Sequence, residues 1–375
     1  MLFKGQNRSR RDALGILGGA CLAAALPSIP FARGITNLPE ITNGFNIPLW
    51  LDQPDGSMQP PSDFVLAQLL EFGFKTIRLP IDPDRFASDK ATVLKASNEL
   101  VTNLNRLLGF GYSVTLDMHP SGKISKMLEQ GSSGDKPLNL AWANIARVAK
   151  EFPASHIFLE LLNEPQMWRD RWLPLRNQLA KTIRQICPDH TLIWGANKYQ
   201  SISETIDCPV LEDPNAIVSV HYYSPMAFTH QCQPWGNSPY ANLRDLPFPA
   251  TQNSPKFVAA LAQADAARFD GLKQQFKDGW TDGQIENDFN RLGHWAKANG
   301  VKVILNEFGA LNLCSDKISR ANWTRAVREA AQKNNIGWTY WELDRGFGFL
   351  DSRDHPSNID HQMINALLNP VEMGN

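Results

Sequence analysis

The chain has 375 residues, is 43% hydrophobic and carries a formal charge of −1; that is enough for one large α/β domain or two ordinary ones, and it excludes a disordered or fibrous protein. The near-neutral balance, with no basic stripe interleaved with aromatics, excludes nucleic acid as an expected partner. Eleven tryptophans offer flat apolar faces that suit sugar rings as well as a core.

In chain order, the first feature is "RSRRDALGILGGACLAAALPSIPFA", adjacent arginines before a short, weakly apolar Gly/Ala run. The order Ser9, Arg10, Arg11, Asp12, Ala13, Leu14 matches a twin-arginine export signal, with Ala13 where Phe is common. Ala13 to Ala25 is shorter than the ~20 residues a spanning helix needs, so no membrane association is expected once the signal is removed. Cleavage after Ala25 or Ala32 fits the small-residue rule. Cys21 opens a lipoprotein alternative, weakened by Gly18 where a lipobox carries Leu. Residues 1–32 therefore read as an export signal placing the rest in the periplasm or outside the cell, and 33–375 as a single domain.

Beyond residue 40, strand-like runs alternate with helical stretches without a Gly/Ser/Pro linker. The strands are "GFNIPLW" (44–50), "FKTIRLP" (74–80), "YSVTLDMH" (112–119), "HIFLELLN" (156–163), "TLIWGAN" (191–197), "AIVSVHYY" (216–223), "VKVILNEF" (301–308) and "IGWTYWEL" (336–343). Amphipathic segments between them, such as "ELVTNLNRLLGFG" and "IENDFNRLGHWAKANG", end on the Gly expected at helix C-termini. Eight β-then-α units predict an α/β fold, a (β/α)8 TIM barrel. The competing open, doubly wound sheet wants a Gly-rich phosphate turn after its first strand, which "GFNIPLWLDQPDG" lacks. The fifth unit holds no long helix, and Ser224 to Asn299 is a long insertion after strand six, with a helix expected near Lys256–Asp278 and Phe228, Trp235 and Tyr240 expected to flank a cleft.

A barrel of this kind builds its site at the C-terminal ends of the strands. Arg78 closes strand two, His119 strand three, Asn163 and Glu164 strand four, His221 and Tyr223 strand six, Glu307 strand seven and Trp341 strand eight. Singly, each reads as easily as an ion-pair partner or a core residue; their convergence on one rim does not. Glu164 and Glu307, on strands nearly opposite each other, form the carboxylate pair that retaining glycoside hydrolysis requires, one protonated and one ionised. Asp117 and Glu342 read as rim salt-bridge formers. A metal is not expected, because the His-x-His of many metal-dependent barrel hydrolases is missing from the first strand.

"LLNEPQ" (161–166) and "ILNEFGA" (304–310), with "IRLPID", "LDMHP", "VHYYSP" and "YWELD", closely resemble the motifs of glycoside hydrolase family 5, the cellulase-type family of clan A. The resemblance runs from about residue 40 to the end and is closest to bacterial endoglucanases. It implies Glu164 as general acid/base and Asn163 beside it on the sugar 2-hydroxyl. Glu307 becomes the nucleophile, hydrogen-bonded by Tyr223 and kept ionised partly by Arg78. His119 and His221 line the same subsite, Trp341 is the platform under the ring, and Trp50 serves a neighbouring subsite. "FTHQCQPW" (228–235) resembles a family loop, with Cys232 and Gln233 in place of Gly-Ala, and carries Trp235. The implied activity is endo-acting hydrolysis of β-1,4-glucan by a monomer without a cofactor. Other β-glycans such as mannan or xyloglucan, and aryl or oligo-β-glucosides, are open alternatives. A non-catalytic carbohydrate-binding protein is the rival of another class, and it would need the aromatics but neither an acid nor a nucleophile.

Four cysteines follow the signal. Barrel topology puts Cys187 and Cys208 near the N-terminal face and Cys232 and Cys314 on the catalytic face, so pairs 187–208 and 232–314 are expected in an oxidising compartment.

Overall fold

Eight parallel strands close a barrel in sequence order: β1 (Gly44–Asn46), β2 (Thr76–Ile81), β3 (Ser113–Met118), β4 (Ile157–Glu160), β5 (Leu192–Gly195), β6 (Ala216–Tyr222), β7 (Lys302–Phe308) and β8 (Gly337–Tyr340). The computed structural model describes residues 38–368 except 54–58, 237, 252–253, 263–270, 272–273, 275 and 277–278. The export segment and both candidate cleavage points lie outside the described residues. Each expected strand is present, several shorter than their apolar runs because pairing stops where the chain turns into the barrel mouth.

Side chains alternate along each strand, so the ladders sort into two faces. Outward, Phe45, Ile77, Leu79, Val114, Leu116, Leu159, Trp194, Val218, Val220, Leu305 and Trp338 join one large core. That core is shared with the surrounding helices α1 (Asp63–Phe72), α2 (Lys90–Phe110), α3 (Lys123–Gln130), α4 (Asp135–Ala149), α5 (Arg169–Ile186), α6 (Ile202–Ile206), α7 (Met226–Thr229), α8 (Pro255–Leu261), α9 (Asp282–Asn299), α10 (Lys317–Lys333) and α11 (His361–Leu368). The inward set is different. Phe158, Ile193, Ile217 and Ile304, with Ile41 beneath, form a small separate apolar cluster at the strand starts. Two residues further along the strands the same face becomes polar, with Glu160 on β4 and Asn306 on β7, both fully buried. The upper barrel is thus a chamber of buried polar groups standing on an apolar floor.

Helix ends follow local chemistry. Asp89 caps α2 by accepting from the amides of Ala91 and Thr92, and Gly111 ends it at φ 102°, a left-handed conformation that a side chain disfavours. α9 opens on a capping box between Thr281 and Gln284. α6 has five residues, in keeping with the weak fifth unit. Among the described residues no helix is long and apolar enough to cross a membrane.

The insertion packs against the barrel. Leu311 N–H donates to Thr229 O at 2.8 Å and Asp245 N–H to Cys314 O at 2.9 Å, and Cys232 and Cys314 form a disulfide. The helix expected over Lys256–Asp278 appears as α8; most of the remainder of that span lies outside the described residues. Two expectations fail here. Cys187 and Cys208 are free and buried, because the Cys187 thiol turns toward Ala146 O at 3.1 Å and the Cys208 thiol toward Pro209 O at 3.7 Å. Phe228 is not a cleft residue: it is 1% exposed and packs against Phe248 and Trp323.

Candidate active site

The chamber is organised by Arg78, which β2 carries inward and which is fully buried. Its Nε and Nη2 bind both oxygens of Glu160, at 2.7 and 3.1 Å. Nη2 also reaches Asn163 Oδ1 at 2.9 Å and Asp117 Oδ2 at 3.1 Å. Nη1 donates to Asn46 Oδ1 at 2.9 Å and to Glu307 Oε1 at 2.6 Å. Burial would lower the guanidinium, but Asp117, Glu160 and Glu307 hold it well above its ordinary value. One buried cation thus faces three carboxylates, and its charge offsets part of theirs.

The strand geometry that delivers Glu307 is irregular. Val220 pairs with Leu305 but His221 pairs with Glu307, so Asn306 is an extra residue in β7. A bulge of this kind breaks the two-residue alternation and lets consecutive side chains reach inward. Asn306 Nδ2 donates to Glu160 Oε2 at 2.8 Å, and Glu307 accepts from Tyr223 Oη at 3.0 Å besides Arg78. Both Glu307 oxygens therefore face donors.

Glu164 follows β4 with φ 41°, strained for a residue other than glycine. Its amide is held by Gln200 Oε1 at 2.7 Å. Gln200 itself stands at φ 53°, donates Nε2 to Glu160 Oε1 at 3.3 Å, and accepts the His221 amide on its own carbonyl at 3.0 Å. Its side chain fills the space where a Cβ on Gly195 would lie, 2.2 Å from Gln200 Cγ, so β5 needs glycine there. His221 Nδ1 lies 3.0 Å from Glu164 Oε1 and 3.4 Å from Glu307 Oε2. One oxygen of Glu164, one His221 nitrogen and one oxygen of Glu307 lie within 4.8 Å of one another.

Burial drives the titration of the site. It raises Glu164 to about 7, against the lowering influence of His119 and Arg78. It raises Glu307 as well, opposed by His221 and Arg78. Contacts separate the two acids: the donors on Glu307 favour its anion, whereas the Glu164 carboxyl meets the His221 ring. Burial lowers His221 to about 4, leaving a neutral imidazole between the carboxyls. Burial also disfavours the His119 cation, but Asp117, at 2.8 Å from Nδ1, outweighs it and holds His119 at about 9.

Glu164, His221 and Glu307 have the donor set of a three-ligand cation site. Arg78 donates to one Glu307 oxygen and Tyr223 to the other, so a divalent ion would compete with a guanidinium or a phenol for that carboxylate.

Arg78, His119, Asn163, Glu164, His221, Tyr223, Glu307 and Trp341 all come together. Trp341 stacks on His119 with ring centroids 5.9 Å apart. Trp235 is 47% exposed and touches His230 and Phe347, both of which contact Tyr223, so it stands on the wall beside Tyr223. Trp50 does not open onto the cleft; it is 3% exposed and lies in the outer core. Asp117 is not a rim residue but a fully buried partner of Arg78 and His119, and Glu342 is likewise buried. Sequence reasoning missed Asn46, Glu160, Gln200 and Asn306. The available signal for three of them was a polar residue on the inward register of a strand. A cavity of about 690 Å³ opens from His119, Asn163 and Glu164 toward Trp168.

Residues 40–346 match the family model Cellulase (glycosyl hydrolase family 5). The chain is 28% identical over 338 residues to Endoglucanase 3 of Fibrobacter succinogenes, covering 83% of this chain and 51% of that protein, and so spans about half the length of that relative. It is 24% identical over 353 residues to Endoglucanase C of Acetivibrio thermocellus, covering 86% and 97%. Among solved structures, an endoglucanase superposes with a TM-score of 0.72 at 24% identity over 90% of this chain and 98% of that one. Thermotoga maritima Cel5A in complex with mannotriose gives 0.69 at 24% identity over 90% and 99%.

Proposed function

The chain belongs to glycosyl hydrolase family 5 and is a glycoside hydrolase, and on that premise we propose that it cleaves β-1,4-glucan internally with retention of configuration. The observation that carries the reading is the placement of the two carboxyls, with one oxygen of each no more than 4.8 Å apart. Retention needs roughly 5–5.5 Å between the groups, whereas inversion needs ~6.5–9.5 Å to admit a water.

In the first step Glu307 attacks the anomeric carbon, forming an ester bond as the glycosidic C–O bond breaks, and the Glu164 proton passes to the departing oxygen. In the second, Glu164 takes a proton from water, the water oxygen bonds to the same carbon, and the ester releases Glu307 as carboxylate. The two acids hold one proton between them, and the donors on Glu307 place it on Glu164. Arg78 and Tyr223 stabilise the attacking anion. Neutral His221 bridges the pair, Asn163 stands where a sugar 2-hydroxyl would approach, and Trp341 backs the ring.

The substrate reading draws on relatives named endoglucanases. Mannan is a second reading, favoured because one neighbouring structure holds mannotriose. The disulfide Cys232–Cys314, together with the paired arginines near the N-terminus, supports export to an oxidising compartment.

Reducing-end assays on a panel of soluble glucans, mannans and xyloglucans test the substrate. Azide tests the roles: it should yield a β-azide with Glu164→Ala, and with Glu307→Ala an α-azide or none. The reverse stereochemistry would show that the two glutamates have exchanged roles.

A further inference from the structure

A second cavity, of about 490 Å³, lies between α5 and residues 209–213, the segment that leads from α6 into β6, and shares no residue with the active site. Its lining holds two arginines two turns apart on one face of α5, Arg176 and Arg184, with Ala180 between them. They are not equivalent. Arg184 meets Asp213 through Nε and Nη2 at 2.7 and 3.0 Å, a complete ion pair. Arg176 is 2% exposed and bonds neutral oxygens: Nε and Nη2 donate to Asn177 Oδ1 at 3.2 and 3.1 Å, and Nη1 to Pro209 O at 2.7 Å.

The contrast extends to the whole protein. Among the described residues the other buried arginines, Arg78, Arg320, Arg328 and Arg353, each meet a carboxylate; Arg176 does not. Burial lowers it from its ordinary value, opposed only by the Cys208 thiol. A guanidinium does not shed its proton to escape that cost, so an anion from solution would supply the missing partner.

The surroundings say what kind of anion fits. The flat face of Arg176 is packed, with Cζ 4.4 Å from the centroid of the Trp194 ring, which leaves further contact to the N–H edge that matches an oxyanion. Exposed Lys181 lines the same cavity five residues on and makes no ion pair among the described residues. Against these two cations stands one carboxylate not already held by an arginine, that of exposed Glu212. Leu173, Val210 and Leu211 add an apolar wall, and the volume is that of a small-molecule site.

We propose that this cavity binds a small phosphate monoester, with its dianionic head on Arg176 and Lys181 and its organic body against Leu173, Val210 and Leu211. The pairing completes the charge balance that the fold leaves open at Arg176, at a place remote from the glycan.

Calorimetric titration of the whole protein with inorganic phosphate, phenyl phosphate and benzoate, at an ionic strength held constant with sodium chloride, tests this. Wild type should bind one phenyl phosphate saturably, about tenfold more tightly than inorganic phosphate, and its thermal midpoint should rise with either. Arg176→Met should abolish binding yet melt no lower than wild type without phosphate, because it removes an unpaired buried charge. Two variants at exposed positions read the site independently of folding: Lys181→Ala should weaken binding about tenfold, and Glu212→Gln should tighten it about threefold. The absence of saturable binding to wild type, or wild-type affinity in both Lys181→Ala and Glu212→Gln, would overturn the site. Benzoate binding as tightly as phenyl phosphate would overturn the assignment to a dianion.

Discussion

Phe158 and Glu160 stand two residues apart on β4 and face the same way into the barrel, as do Ile304 and Asn306 on β7. The lower member of each pair lies in a five-residue apolar cluster; the upper one hydrogen-bonds in a buried network around a single arginine. The floor resembles any packed interior, where burial stabilises and shape sets the cost of change. The layer above places one cation among Asp117, Glu160 and Glu307, an arrangement that apolar residues of similar volume would often make no less stable. Fold stability is therefore carried by the floor and outer core, while the upper layer holds reactive groups at the cost of desolvating them.

Substitutions should separate the two layers. Arg78→Ala leaves three acids without their counter-ion and should cost about 3–5 kcal/mol of stability in denaturant titrations, with activity falling below detection. Retained activity would place the charge balance elsewhere. Gln200→Leu removes the acceptor that holds the Glu164 amide and leaves that amide unpaired. It should lower kcat on glycans by about 10–100-fold, as one lost buried hydrogen bond in the transition state would, with a much smaller effect on aryl glycosides whose leaving group needs no proton. Equal losses on both would show a general structural role for Gln200. Gly195→Ala, which pushes a Cβ into the Gln200 side chain, should reproduce the same bias toward activated substrates.

The pH profile probes the upper layer without mutation. Because burial lifts Glu164 to about 7 and the acid must be protonated, kcat/KM on unactivated glycans should fall about tenfold per unit above that value. The same raised carboxyl binds its proton more tightly in the folded than in the unfolded chain. Its contribution to stability is thus present below the unfolded value of 4.5 and lost as pH rises from there through about 7. An alkaline limb unmoved by Glu164→Gln would assign that limb to another group. The smallest effect belongs to the floor: Ile304→Val should cost about 0.5–1.5 kcal/mol and leave kcat within about twofold, since the mutation creates only a small cavity.

Much of this division was legible in the sequence. Six of the eight apolar runs close on a polar or aromatic residue, and a parallel barrel turns that pattern into a convergent rim, so Arg78, Glu164 and Glu307 could be found by position alone. The network behind them could not. Glu160 and Asn306 are polar residues inside strands, and a polar residue at every second position reads equally well as a water-facing edge until the barrel's closure shows which face is enclosed. Gln200 lies in a loop whose left-handed backbone no pattern announces. Cys187 and Cys208 share one end of the barrel, but topology fixes where a Cα lies and not where its thiol points. Phe228 and Trp168 show the same gap from opposite sides, since both are aromatics in the segments that follow barrel strands and only packing decides that the first is covered and the second exposed.

The central claim is that Glu164 and Glu307, with one carboxyl oxygen of each within 4.8 Å of the other, act by two successive displacements at one carbon. Proton NMR of a cello-oligosaccharide digest, recorded in the first moments before mutarotation, reads this directly. The account predicts that the β-anomer appears first and the α-anomer grows in later; an initial α-anomer would mean a single displacement by water and would contradict it.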